Sequence, residues 1–102
     1  MSSLHIWNKA DAHAEALTLC LATLAPGDAL LLVEDAVYLS GEAGIATLRA
    51  AMAHPEGITL HALAPDLAAR GISARISPLV NVVEYPDFVA LSLQHARVVS
   101  WT

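Results

Sequence analysis

The chain has 102 residues and a mass of 10.7 kDa, room for one core, so a single domain over 1–102 is expected. It is 56% apolar with a mean hydropathy of +0.54 and only 15% charged, which excludes disorder, because disordered chains are apolar-poor. Ten acids against five bases give a net charge of −5, too few cations for a surface that grips nucleic acid or an anionic membrane.

Globular domains are usually about 45–50% apolar, so this chain carries a surplus that needs a location. No apolar run reaches the roughly 18 residues of a membrane span. The first thirteen residues have neither a positive segment nor an apolar one, so no secretion signal is expected. The single cysteine, Cys20, cannot form an internal disulfide. Together these point to a reducing, cytoplasmic setting.

In chain order the elements alternate. Leu4-His5-Ile6-Trp7 is a short apolar strand, and Asp11 to Leu24 follows with Ala14, Leu17, Leu21 and Leu24 at helical spacing and Asp11 as a cap. Pro26-Gly27-Asp28 stops that helix. Ala29 to Val33 is a continuous apolar run, the mark of a strand covered on both faces, and Glu34-Asp35 ends it. Ala43 to Ala53 reads as an alanine-rich helix. After the turn at Pro55-Glu56-Gly57, Ile58 to Leu63 is a third strand. A short helix opens near Pro65 and closes with Gly71 at a C-cap position. Val80 to Val83 is a fourth strand, a helix runs from Pro86 to about His95, and Val98-Val99 begins a last strand before Trp101. Five strands interleaved with four helices predict an α/β fold, three layers around a mainly parallel five-stranded sheet.

In the last helix Phe88, Val89, Leu91, Ser92 and Leu93 sweep an arc of about 200° at 100° per residue, about twice what one sheet requires. Either this helix packs deeply in its own domain, or its outer flank meets another subunit.

Most chemical motifs are missing. A dinucleotide loop needs closely spaced glycines between strand and helix; Gly41 and Gly44 come nearest, lack a third, and read as a turn. A phosphorylated receiver domain needs a lysine late in the chain, and the only lysine is Lys9. The five histidines, His5, His13, His54, His61 and His95, include no i,i+3 or i,i+4 pair, although a sheet would bring the strand residues His5 and His61 into one neighbourhood. No metal and no cofactor are expected. Cys20 sits at the edge of the first helix's apolar stripe, as a small core residue or as a nucleophile.

Five segments carry a resemblance. Leu4-His5-Ile6-Trp7-Asn8-Lys9 is similar to the opening Leu-His-Thr-X-Asn-Lys of the DsrH/TusB family of sulfur-relay subunits. Leu31-Leu32-Val33-Glu34-Asp35-Ala36-Val37-Tyr38 resembles its apolar strand followed by Glu-Asp-Gly-X-Tyr. Leu63 to Gly71 resembles Leu-X-X-Asp-X-X-Ala-Arg-Gly, Val83 to Val89 resembles Val-Asp-Tyr-X-X-Phe-Val, and Trp101 matches a tryptophan near the family's C-terminus. Two positions depart: Ala10 replaces a serine, and Ala36 replaces a glycine. If that glycine has positive φ, the alanine must strain or shift the turn by about 1 kcal/mol or more.

The resemblance implies a DsrE/DsrF/DsrH-like fold and a heterohexamer with two homologous subunits, in which sulfur travels as a cysteine persulfide. It implies either 2-thiolation of the wobble uridine in tRNA or dissimilatory sulfur oxidation with delivery to a small carrier protein. Cys20 matches the first-helix cysteine of DsrH-type members and tilts the expectation towards sulfur oxidation. Cys20 would then carry persulfide by thiol exchange, with Lys9 and His13 as candidate cations to favour its thiolate. The alternatives are a non-catalytic subunit that stabilises a persulfide-bearing partner, or a homo-oligomer that binds a small ligand.

Overall fold

The computed structural model describes residues 2–101. Strands β1 (Ser3–Trp7), β2 (Ala29–Leu32), β3 (Thr59–Leu63), β4 (Val80–Val83) and β5 (Arg97–Trp101) form one sheet in the order β4-β3-β2-β1-β5. Every pairing is parallel, so the expected architecture holds and its parallel character is complete. The helices are α1 (Glu15–Thr23), α2 (Glu42–Ala50), α3 (Ala64–Ala69) and α4 (Tyr85–Gln94).

Register separates the two faces. Trp7, Leu32 and Ala62 align across the strands, as do His5, Leu30 and Leu60, and this face carries the larger core. Leu17, Cys20 and Leu21 of α1, Ile45 and Leu48 of α2 and Leu67 of α3 pack there. The alternating residues Leu4, Ala29, Leu31, Leu63 and Val83 point the other way and pack with Ile6, Val33 and, from the helices, Phe88 and Leu91 of α4. Those two explain half of the wide arc of α4: Phe88, Leu91 and Ser92 turn inwards, while Val89 and Leu93 stand exposed. The accessible surface of 5387 Å² matches the roughly 5,500 Å² expected of a monomer of this mass. Part of the apolar surplus is on the outside, where Leu19, Tyr38, Leu79, Val82, Tyr85, Val89, Leu93 and Val98 are exposed.

Three local expectations change. The first helix starts at Glu15, because Asp11 spends its side chain on a turn: Oδ1 accepts the His13 N–H (2.9 Å) and its carbonyl accepts that of Ala14 (3.4 Å). The stretch after β2 is a 3₁₀ helix, Glu34–Ser40, which buries Ala36, Val37 and Leu39. Ala36 lies inside it without positive φ; the left-handed residue is Glu34 at φ 51°, so the glycine-to-alanine departure strains nothing. The predicted C-cap stands: Gly71 has φ 68° and its N–H reaches the Ala68 carbonyl (3.1 Å), while that of Ile72 reaches Leu67 (3.2 Å).

Gly44 is not part of a phosphate loop. It lets the backbone of α2 ride on the 3₁₀ helix so closely that a methyl group there would collide with the Leu39 carbonyl. Gly44→Ala should gain about 1 kcal/mol in helix propensity yet destabilise the fold by about 1–3 kcal/mol net, read as a lower urea midpoint.

Candidate functional site

The sequence directed attention to Cys20, and the structure places it on the inner side of α1, fully buried in the larger core. Lys9 and His13, the candidate activating cations, lie exposed in the segment before α1. The charge that does bear on the thiol is the Asp28 carboxylate, which has the wrong sign to favour a thiolate. Burial first, and Asp28 second, push the thiol up to about 12 from an ordinary 9.0. At pH 8 such a thiol holds about a thousandfold less thiolate than an ordinary one.

In the sequence Asp28 is legible only as the end of a turn. It is a buried carboxylate: Oδ1 accepts the N–H of Ser3 (2.8 Å) and Oδ2 that of Ala25 (3.0 Å). His5 lies beside it, with Nε2 4.0 Å from Asp28 Oδ2. The indole of Trp101 donates Nε1–H to His5 Nδ1 (3.0 Å), and the two rings lie nearly parallel with centroids 6.1 Å apart. Since the indole can only donate, Nδ1 is an acceptor and the neutral ring carries its proton on Nε2, on the Asp28 side. Burial lowers the His5 pKa, Asp28 partly opposes this, and Arg97 adds to it. Trp101, which entered through the resemblance, thus ties the edge strand β5 to β1.

The histidines do not converge. His5 aligns with Leu30 and His61 with Leu31, so they occupy opposite faces with β2 between their strands. Among the described residues no three His, Cys, Asp or Glu side chains are placed to hold a metal ion. His61 shares a hydrogen bond with Thr59 Oγ1 through Nε2 (3.0 Å), and burial, then His95, lowers its pKa.

A second cluster joins two of the sequence segments at the carboxyl ends of β2 and β3, where open α/β sheets place their sites. Arg70 donates Nε–H and an NH2 proton to Asp35 Oδ1 (3.0 and 2.9 Å) and approaches Asp66 Oδ1 at 3.9 Å. Asp66 Oδ2 accepts the N–H of the left-handed Glu34 (2.6 Å). The Arg70 charge is thus engaged by two carboxylates, and the cluster works as a clip between the 3₁₀ helix and α3. Periodicity could show only the i,i+4 pair Asp66 and Arg70, since Glu34 and Asp35 are some 30 residues away from them.

Comparison with known proteins places these features. The family model described as DsrH like protein matches residues 9–98. Protein TusB of Erwinia tasmaniensis is 40% identical over 85 residues, 83% of this chain and 86% of that protein. Protein TusB of Pectobacterium parmentieri is 34% identical over 98 residues, covering 96% and 99%. Among solved structures, the ychN protein of E. coli superposes with a TM-score of 0.67 over 99% of this chain and 100% of that one, at 17% identity, a likeness of fold.

Two outcomes follow from the buried groups. In the native protein at pH 8, Cys20 should alkylate with iodoacetamide at least about a hundredfold more slowly than in urea-unfolded chain, as measured by mass spectrometry over time. His5 and His61 have folded pKa values below the ordinary 6.5, so the unfolded chain takes up protons first as the pH falls. Their contribution should be intact above about pH 6.5 and decline below it, levelling off beneath the lowered values. A urea midpoint lower at pH 5.5 than at 7.5, with the difference reduced in His61→Gln, is the expected result.

Proposed function

The chain belongs to the DsrH family, and from that premise we propose that it is a sulfur-relay subunit of the tRNA-thiolation type that supports a persulfide-bearing partner. The observation that carries the relay type is identity of 34–40% to TusB proteins across most of both chains. These relatives outweigh the tilt towards sulfur oxidation that Cys20 alone suggested. The supporting role rests on Cys20 itself. Thiol exchange needs a thiolate that an incoming persulfide can reach, and this thiol is in the core beside a carboxylate.

In this reading the chain assembles in the cytoplasm with two homologous subunits, as a heterohexamer. The sulfur rests on a cysteine of one of them and leaves to a small carrier protein. The uncovered flank of α4 and the apolar surplus on the surface fit a subunit that is partly enclosed by others. With a net charge of −5, tRNA is held elsewhere in the pathway and not by this chain.

The test is reconstitution with the two related subunits and a sulfur donor. Leaving this chain out should abolish relay, while Cys20→Ser should keep it within about twofold. Intact-mass analysis should find the gain of about 32 Da per sulfur on a partner subunit and none on Cys20. Sulfur on Cys20, together with loss of relay in Cys20→Ser, would return Cys20 to the role of carrier.

A further inference from the structure

The sheet face that carries a single helix also carries a cleft. Between β3, β4 and α4 lies a space of about 350 Å³, walled by His61 and Asn81 from the strands and by Asp87, Ala90, Leu91 and Gln94 from the helix. That is the size of a small ligand or a long side chain. No lysine or arginine lines it among the described residues.

Its polar groups are mostly acceptors. Asn81 already gives an Nδ2 proton to the Leu60 carbonyl (3.2 Å), which leaves Oδ1 open. Asp87 uses Oδ2 to accept the Glu84 N–H (2.9 Å), which leaves its other oxygen. Gln94 adds a carboxamide. His61 is 93% buried with Nδ1 unpartnered, since its one hydrogen bond is through Nε2 to Thr59. A buried polar atom without a partner destabilises by about 1–3 kcal/mol, so a wall containing one is incomplete as it stands. Burial keeps the imidazole neutral at pH 7, so it does not repel a cation.

The helix crest beyond the cleft is apolar. At 100° per residue, Ala90 lies between the cleft flank of α4, Asp87 and Gln94, and Leu93, which is 82% exposed, while Val89 lies further round the helix. An acceptor-rich pocket one helix position away from the exposed Leu93, on a chain of net charge −5, is complementary to a basic side chain with an apolar neighbour.

We propose that this face of α4 docks a protein partner that lays an apolar side chain on Leu93 and inserts an arginine into the cleft. The guanidinium meets Asp87, Asn81 Oδ1 and Gln94 Oε1, and it donates one N–H to His61 Nδ1, whose ring gives its Nε2–H to Thr59. Arginine suits the site better than lysine because its five donors in a planar fork serve several acceptors at once. The proposal does not depend on the relay reading; a chain that moved no sulfur would have the same cleft.

The test is nuclear magnetic resonance of the full labelled chain, titrated with acetyl-arginine methylamide and its lysine and citrulline counterparts. Saturable shifts of the Asn81, Gln94 and His61 side chains are expected, with citrulline, the neutral isostere, about tenfold weaker and lysine about threefold weaker. Asp87→Asn, which keeps an oxygen for the Glu84 N–H, should weaken the arginine probe about tenfold, and Gln94→Ala about threefold. Unchanged backbone spectra away from the cleft establish that both variants are folded. The capped tripeptide Leu-Arg-Leu should bind about tenfold tighter than Ser-Arg-Ser, and Leu93→Ser should remove that gain. Citrulline binding as well as arginine, side chains of the cleft that do not respond, or equal binding of the two tripeptides would each overturn the proposal.

Discussion

The buried carboxylate of Asp28 is the interaction on which the packing of this protein turns. A charge out of water is tolerated only when its lone pairs are met, and here Ser3 at the start of β1 and Ala25 after α1 meet them with backbone N–H groups. The Asp28 carbonyl also accepts the Thr59 N–H (3.2 Å), so one residue joins the entries of β1, β2 and β3. This sets the register from which the two faces of the sheet follow. The same charge lies beside His5 and bears on Cys20, so it orients the proton of one and disfavours ionisation of the other. The anchor of the fold thus adds to the inertness of the thiol, which burial already imposes.

The sheet is covered unequally. One face meets α1, α2, α3 and the 3₁₀ helix, and its residues are closed off almost completely. The other meets one helix, which leaves exposed aliphatic side chains on its crest and a polar cleft on its flank. A monomer-sized surface area with an apolar surplus is what such an arrangement produces. In a family of assembling subunits the surplus has a physical use, because covering it releases ordered water and stabilises the contact.

Legibility differed by the range of the interaction. The strands were readable because Ala29 to Leu32 and Val80 to Val83 have apolar runs that a two-sided sheet demands, and Gly71 was readable as a cap because its requirement is local. The start of α1 was not, since Asp11 can cap a helix or close a turn with the same oxygen and only the neighbouring packing decides. The 3₁₀ helix at Glu34–Ser40 has no periodicity of its own and takes its shape from burying Ala36 and Val37. His5 and His61 were readable as strand residues, but a register difference of one residue puts them on opposite faces.

By itself the sequence determined the α/β alternation and the family, because these depend on patterns and motifs spread along the whole chain. The accessibility of Cys20, the pairing of Trp101 with His5 and the union of Asp35, Asp66 and Arg70 were decided only by tertiary structure. Trp101 and His5 are 96 positions apart, Asp35 and Arg70 are 35 apart, and the burial of Cys20 is exclusion of water; no local spacing encodes these. The apolar surplus was visible in the composition; that part of it lies on the crest of α4, on the single-helix side, follows from which face each element takes.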